Sequence, residues 1–418
     1  MACSADLSLP DDSWRVNWRA RIRFSAFFAA GRAEPATDDG YMILAQTANA
    51  GTRSGESRDE WVDRNSGRLM VLPAVLVLLC FAIFPLIISI YLSLSRFALA
   101  GGSFTLTFVG LYNYKRLLFG VQQYHLIGTL KPIETSGWIL FAVFAAAILY
   151  WLIRYVRSGL TVLGLIGRLV SAALALGLAL AAVATLPAGG YQGTMLTTCL
   201  YVLLGVAAQF LIGLGLALLC AQPIRARNFF RVVFFIPLMV TPVGVAYIFR
   251  MLADMQKGPF APVSAGLGLT AWAWATQAWS ARLMVLIGDT WQWAPFMFIV
   301  LLAAIENQPR DQLEAARLDG AGSFQTFRDI TWPAIAPVAA TVVLIRLIEA
   351  FKIIDLPNVL TAGGPGLATE SMTLHSFIAW RTQDLGASAA VGYLLLFVST
   401  ITCVSFFNYV VRRTRRYQ

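Results

Sequence analysis

Long apolar runs, separated by short polar stretches, fill the chain from residue 71 to near its end. A helix of about 18 or more apolar residues is long enough to cross a hydrocarbon core of about 30 Å. Eight runs reach that length, and they cover residues 71–94, 135–153, 169–186, 196–220, 232–249, 283–305, 336–356 and 386–411. The pattern predicts an all-α, polytopic membrane protein with about eight transmembrane helices.

Composition excludes an ordinary soluble protein. Hydrophobic residues make up 58% of the chain and charged residues only 13%, whereas about a quarter of the residues in soluble proteins are charged. The net charge of +10 does not indicate nucleic-acid binding, because no exposed helix or strand with interleaved basic and aromatic residues is predicted. The positive charge instead indicates which loops are cytoplasmic, and it indicates contact with anionic membrane lipid.

Basic residues set the predicted orientation of the spans. Arginines follow the second, fourth and eighth runs, at Arg154, Arg157, Arg225, Arg227, Arg231, Arg412, Arg413, Arg415 and Arg416. Because cytoplasmic loops are enriched in Lys and Arg, both termini are predicted to be cytoplasmic. Four basic residues in the predicted outer loop, residues 95–134, oppose the rule: Arg96, Lys115, Arg116 and Lys131.

A polar island, residues 307–335, separates the sixth and seventh runs. Alanine and leucine favour helix there, and Gly320 tolerates a positive φ. We therefore expect a short helix that ends at Gly320, a turn through Ala321 and Gly322, and a second helix from about Ser323. Proline disrupts a continuing helix, so the second helix is predicted to end at Pro333.

The island resembles the cytoplasmic loop of ABC-importer permeases, in which Glu-Ala-Ala is followed by a Gly six positions after the Glu and by a later Ile-x-Leu-Pro. Trp332 replaces the usual Leu. The resemblance to carbohydrate-uptake permeases of the maltose type extends to Asp289-Thr-Trp291 and Thr361–Gly366, and covers roughly residues 68–418. It assigns coupling to an ATPase to Glu314, Ala315, Ala316, Asp319, Gly320, Ile330 and Pro333.

Membership of that family implies a permease of the bacterial inner membrane and several partners. These are a second homologous permease, two ATPase subunits that hold ATP and Mg²⁺, a periplasmic solute-binding protein and a carbohydrate or polyol substrate. This chain is predicted to have no catalytic residue, metal or cofactor of its own. None of the lysines precedes a Ser or Thr, as a phosphate-binding loop requires, so the energy must come from another polypeptide or an ion gradient.

Ionisable residues inside the predicted spans are costly and therefore informative. The seventh run carries Arg346, Glu349, Lys352 and Asp355 at every third position, where neighbours on one helix can form ion pairs. The resemblance places five residues at positions that line the sugar site: Asp289, Trp293, Phe296, Glu349 and Ile353. The alternative is that these groups only hold helices together.

The glycine-rich segment Gly363, Gly364, Pro365 and Gly366 has two interpretations. It is an ordinary chain reversal, or, as the resemblance implies, a gate or docking site for the binding protein at the outer face. A phosphate-binding role is excluded, since no lysine accompanies it.

Three domains are predicted. Residues 1–67 form a flexible cytoplasmic extension, with an interfacial helix near Trp14, or result from an over-extended start with the true one near Met42. Residues 68–187 contain the first three spans, of which the second and third are additions to a six-helix core. Residues 188–418 form the permease core.

The remaining candidate ligands are interpreted as structural. The five cysteines show no paired spacing and are predicted to be packing residues: Cys3, Cys80, Cys199, Cys220 and Cys403. The two histidines, His125 and His375, are isolated in the sequence and have no predicted ligand role.

Two other functions stay open. An ion-coupled secondary transporter would use the charged stripe of the seventh run as its relay. A membrane scaffold would use the Glu314 loop for docking but would have a dry, apolar interior, against which Asp289 and Glu349 argue.

Overall fold

The computed structural model describes residues 70–100, 103–157, 162–185, 191–223, 225–254, 257–259, 261–266 and 277–414. The chain divides into two compact units, residues 1–78 and 79–418. In the first unit, the described residues 70–78 are helical. The predicted extension, residues 1–67, lies outside the described residues, as do its interfacial helix and Cys3.

Helices make up most of the described chain. The elements, in chain order, are α1 Met70–Ser93, β1 Ser95–Ala100, β2 Ser103–Phe108, α2 Tyr112–Leu118, α3 Gln123–Leu126, α4 Thr135–Val156, α5 Val162–Thr185, α6 Thr194–Ala221, α7 Arg227–Met239, α8 Pro242–Ala253, α9 Ala261–Gly266, α10 Ala278–Glu306, α11 Arg310–Leu318, α12 Ser323–Ala350, α13 Met372–Arg381 and α14 Leu385–Thr414. Two π-turns, Leu79–Ile83 and Phe327–Thr331, lie within α1 and α12, and a third follows α12 at Pro357–Thr361.

Seven helices of the described chain are long and apolar enough to cross a membrane, and they correspond to seven of the eight predicted runs. They are α1, α4, α5, α6, α10, α12 and α14. The all-α polytopic prediction is therefore confirmed, and its bounds agree to within a few residues except at α5, α10 and α12.

The predicted span over residues 232–249 is bent and is not one continuous helix. This run is split into α7 and α8, whose axes differ by 98°. The break lies at Thr241, whose backbone is extended because the following residue is Pro242. Thr241 then caps α8, since its Oγ1 accepts a hydrogen bond of 3.3 Å from the N–H of Gly244.

The core is built around α10. Its most apolar window is 56% buried, so α10 is an interior helix. α10 packs along α6, and α12 and α14 complete the cluster. Gly213 permits the close contact between α6 and α10, because a Cβ there would lie 2.5 Å from the Cβ of Met297.

The predicted outer loop, residues 95–134, contains a β-hairpin that the apolar runs did not indicate. Strands β1 and β2 pair antiparallel from Ser95–Phe108 to Ala100–Ser103. The buried Asn113 of α2 donates hydrogen bonds of 2.9 Å to the carbonyls of Ser93 and Ser95, and Arg116 pairs with Asp384 at the start of α14. The loop is therefore anchored to the helical core.

We expect Gly213→Ala to lower the melting temperature of the full-length protein in detergent. Its added methyl would meet backbone and Cβ atoms of α10 that cannot move independently. Gly215→Ala, on the same helix, is the matched control, since a Cβ there meets nothing within 4 Å. The control is expected to leave the melting temperature unchanged or slightly raised, because Ala favours helix over Gly. Equal melting temperatures for the two variants would contradict the close packing of α6 on α10.

Candidate functional site

The polar island folds as a helix, a glycine turn and a second helix, as its sequence predicts. α11 ends in a Schellman motif, in which the N–H of Ala321 donates to the carbonyl of Ala316 at 2.9 Å and that of Gly320 donates to Arg317 at 3.1 Å. Gly320 has φ +76°, a value that side-chain-bearing residues rarely adopt. The sequence thus determines this turn through one glycine.

The island presents both polar and apolar side chains to its surroundings. Glu314 and Ala315 are exposed, whereas Ala316 is buried beneath them. Two large apolar residues flank the turn, Leu318 with 89% of its surface exposed and Phe324 with 74%. Large apolar side chains exposed beside polar ones are typical of a protein-docking site. Sequence analysis did not single out either apolar residue.

The prediction that the second helix ends at Pro333 is wrong. The chain continues helically from Ser323 to Ala350 as α12. The π-turn Phe327–Thr331 shifts the hydrogen bonds by one residue just before the proline. Pro333 then occupies the first turn of the segment Trp332–Ala350, where a missing N–H is tolerated.

A buried charged network joins three helices in the core. Arg346 of α12 donates from Nη2 to Asp289 Oδ2 of α10 at 2.6 Å and from Nε to Gln209 Oε1 of α6 at 2.8 Å. Gln209 Nε2 donates to the same Asp289 oxygen at 2.7 Å. The Arg346 and Asp289 side chains are only 2% and 6% exposed. We call these three residues the interhelical triad.

The predicted charge stripe of the seventh run does not form on one helix. α12 ends at Ala350, so Lys352 and Asp355 lie beyond it. Glu349 pairs with Lys352 at 2.9 Å in an exposed ion pair, whereas Arg346 turns inward to Asp289. The predicted ion pair between the neighbours Glu349 and Lys352 is therefore present, whereas the stripe does not continue to Asp355 because the helix ends at Ala350.

The five predicted path residues fall into different surroundings. Trp293 packs edge-on against Phe296, with 6.2 Å between ring centroids, and the Arg346 guanidinium lies 4.6 Å from the centre of the Trp293 ring. Ile353 packs on a cluster that includes Phe249 and Leu356. The Glu349 side chain is 42% exposed. Asp289 is therefore joined to Trp293 and Phe296 through Arg346, and its role in a substrate path stays a prediction.

The glycine-rich segment forms an ordered turn. Gly363 and Gly366 have φ +84° and +60°, and the Thr369 Oγ1 hydroxyl donates to the Gly364 carbonyl at 2.9 Å. Two residues that sequence analysis missed hold the following segment against the core. Arg282 Nε donates to the Ala368 carbonyl at 2.6 Å, and the Tyr201 hydroxyl donates to the Thr369 carbonyl at 3.2 Å.

The interpretation of the two histidines as isolated is wrong. Their rings are 5.2 Å apart between centroids, and His375 Nδ1 lies 2.7 Å from Glu370 Oε1. The sequence hides this contact because it arises only when the outer loop folds onto the start of α13. Burial, followed by the neighbouring His375, lowers the pKa of His125 below its usual range.

Residues 209–417 match the family described as "Binding-protein-dependent transport system inner membrane component". The match covers half of the 418 residues, including all three members of the interhelical triad and the whole polar island. The chain belongs to this family.

Two relatives illustrate the similarity of this permease to known proteins. The "Trehalose/maltose transport system permease protein MalF" of Thermococcus litoralis is 33% identical over 189 residues, which cover 45% of this chain and 64% of that protein. The "sn-glycerol-3-phosphate transport system permease protein UgpA" of Salmonella typhi is 29% identical over 227 residues, covering 54% and 77%. The match thus spans less than two thirds of the first relative.

The fold of the permease resembles that of a solved transporter, titled "Crystal structure of a bacterial ABC transporter involved in the import of the acidic polysaccharide alginate". The TM-score is 0.56 at 16% sequence identity, and the superposition covers 85% of this chain and 99% of that chain. At this identity the similarity concerns the fold alone. The family match begins at residue 209, within α6. It does not test the predicted domain boundary at residue 188, which stays a prediction.

We expect Asp289→Asn to reduce the yield and melting temperature of the permease. The change leaves the buried Arg346 without its counter-charge, and breaking a buried ion pair costs about 3–5 kcal/mol. The double variant Asp289→Leu/Arg346→Met removes both charges and is expected to recover much of that stability. Glu349→Gln is the control, because it removes an exposed carboxylate from the same helix as Arg346. Wild-type stability of Asp289→Asn would refute the structural role of the pair.

Proposed function

We propose that this chain is a permease subunit of an ATP-driven ABC importer for a sugar, oligosaccharide or polyol. A periplasmic binding protein delivers the substrate, and a second homologous permease completes the pathway. Two ATPase subunits hold ATP and Mg²⁺ and perform the hydrolysis, so this chain has no covalent chemistry of its own. The family match supports the binding protein and the membrane location.

The continuity of α12 is the observation that carries this proposal. One helix runs from Ser323, beside the island turn, to Ala350, a length of about 40 Å at 1.5 Å per residue. Arg346 lies near its far end, in the interhelical triad. A displacement of the island is therefore transmitted along this continuous helix, which contains Pro333 and Pro337, to the point where α12 meets α6 and α10.

The proposed cycle begins when ATP draws the two ATPase subunits together. α11 and the exposed Leu318 and Phe324 move with the ATPase on which they dock. α12 then tilts, and the cavity shared with the second permease changes from inward-open to outward-open. Glu314, Ala315, Asp319 and Gly320 belong to the docking surface, whereas Ala316, Ile330 and Pro333 shape the helices behind it.

A carbohydrate or polyol substrate is supported by the relatives, whose names refer to trehalose, maltose and glycerol 3-phosphate. Trp293 and Phe296 provide aromatic faces of the kind that stack on sugar rings, and the exposed Glu349 provides an acceptor for hydroxyl groups. Ile353 adjoins them in sequence beyond α12. We propose that Asp289 holds Arg346 in position next to Trp293. The ligand that copurifies with the cognate binding protein would test the substrate class directly.

The turn formed by Gly363, Gly364, Pro365 and Gly366 is proposed as the docking site or gate for the binding protein. Its backbone is fixed by Thr369, Arg282 and Tyr201. Fixed turns suit docking, because little conformational entropy is lost when a partner binds.

The structure weakens the main rival function. An ion-coupled transporter would need the charged residues of the seventh run to form a relay. Arg346 is instead sequestered with Asp289, and Lys352 lies beyond the helix end in an exposed pair with Glu349.

We expect Gly320→Val to uncouple ATP hydrolysis from transport while the permease remains assembled in the membrane. A β-branched residue at φ +76° is strained, so the Schellman turn would change course and misdirect α11. Substrate uptake and substrate-stimulated ATPase activity in proteoliposomes are expected to fall at least tenfold.

Gly322→Ala is the matched control for this variant. Gly322 has φ −67° and a Cβ there would meet only Gln325, at 4.0 Å. An added Cβ would clash with no neighbour at either position, so the positive φ of Gly320 is the main difference between the two sites. Uptake by Gly320→Val at the level of Gly322→Ala would refute the coupling role of the turn.

The orientation proposed is cytoplasmic for both termini and for the island. The orientation of the island depends on whether the bent pair α7–α8 crosses the membrane. If the pair is one span, Arg227 and Asp311 lie on the same side of the membrane. A re-entrant pair would place them on opposite sides. Reporter fusions after Arg227 and after Asp311 are expected to report cytoplasm, and one within residues 363–370 to report periplasm. A periplasmic signal after Asp311 would exclude docking to a cytoplasmic ATPase.

A further inference from the structure

The two histidines of the 418-residue sequence meet in one cluster with a buried glutamate. His125 comes from α3 in the outer loop, Glu370 from the segment before α13, and His375 from the first turns of α13. One potential ligand atom from each side chain lies within 4.8 Å of those of the other two. The family match and the proposed transport cycle give this cluster no role.

The hydrogen bonds of the cluster leave a nitrogen free. His125 Nε2 lies 2.6 Å from the Tyr124 hydroxyl, whereas His125 Nδ1 is buried and has no hydrogen-bond partner in the part of the chain that the structure describes. Leaving a buried polar nitrogen unpaired is costly, and it needs a physical explanation. A bound cation would satisfy that nitrogen.

Glu370 and His375 are both held in place by the fold. Glu370 is 2% exposed and His375 is 8% exposed, and their side chains contact one another at 2.7 Å. Ser371 caps α13 between them, since its Oγ accepts from the N–H of Leu374. Glu370 and His375 are therefore already held next to each other, and α3 brings His125 to them.

We propose that His125, Glu370 and His375 bind a Zn²⁺ ion at the outer face of the protein. The three side chains supply two imidazole nitrogens and one carboxylate oxygen, a ligand set that zinc adopts when it keeps a fourth position for water. Imidazole nitrogen disfavours Mg²⁺ and Ca²⁺, which prefer oxygen ligands. Tyr124 is the outer partner that orients the His125 ring.

The distances allow the ion to bind with small movements. Tetrahedral zinc with bonds of about 2 Å places its ligand atoms about 3.3 Å apart. The present separations are 2.7 Å between His375 Nδ1 and Glu370 Oε1 and no more than 4.8 Å among the three side chains, and side-chain rotation brings them to that value. The bound ion would connect the outer loop to the segment that follows the glycine-rich turn, and so stabilise both.

The proposal is tested with the full-length chain in detergent, purified through an affinity tag without histidine. After removal of metal by a chelator, Zn²⁺ alone is titrated and bound metal is measured by elemental analysis. We expect about one Zn²⁺ per chain, a higher melting temperature with Zn²⁺, and no corresponding effect of Mg²⁺. Co²⁺ in place of Zn²⁺ is expected to give the intense visible absorption of a tetrahedral site, a readout that needs no variant.

Variants then assign the ligands. His125→Ala and His375→Ala are each expected to weaken Zn²⁺ binding at least about 100-fold, and Tyr124→Phe about 10-fold. Glu134→Gln, which removes an exposed carboxylate from the same outer region, is expected to bind like the wild type. Absence of Zn²⁺ binding and of the Co²⁺ spectrum would overturn the proposal. Unchanged binding by the His125→Ala/His375→Ala variant would also overturn it, because the metal would then be held by other ligands.

Discussion

The ion pair between Arg346 and Asp289, completed by Gln209, constrains the packing of the core. Both charges are buried, and a buried charge is tolerated only when it is paired and hydrogen-bonded. Apolar side chains alone do little to fix how far one membrane helix is shifted along another, because lipid is as apolar as those side chains. The triad therefore sets the register of α6, α10 and α12. The close contact at Gly213 follows from that register.

That register gives α12 its mechanical importance. The helix begins beside the island turn and ends one turn beyond Arg346. A continuous helix that is fixed to two other helices near its far end, at Arg346, transmits movement better than a chain of short segments. The pair α7–α8 differs, because its bend at Thr241 interrupts any such transmission.

The opposite face is organised by hydrogen bonds to the backbone. Arg282, Tyr201 and Thr198 hold the segment from Ala368 to Met372 against the core through its carbonyl and N–H groups. Side chains that bond to backbone atoms fix a segment whatever its own sequence is. These bonds hold Glu370, together with His375 in the first turn of α13, where His125 can meet them.

The sequence by itself determined which residues enter the membrane and where the island turns. Apolar run length predicts seven of the spans, since the hydrocarbon thickness requires it, and Gly320 specifies the turn through its positive φ. Residue spacing did not reveal the ends of α12, the break at Thr241 or the β-hairpin. The break at Thr241 has a local cause in Pro242, whereas the π-turn before Pro333 lets α12 continue past a proline.

Only the tertiary structure decided which polar residues meet. Asp289 and Arg346 stand out in the sequence as intramembrane charges, but their partnership joins residues 57 positions apart. His125 and His375 are separated by 250 positions and share no spacing that a local rule detects. Such contacts depend on how helices pack and loops return, because burial and pairing energies act between groups that are close in space and distant in sequence.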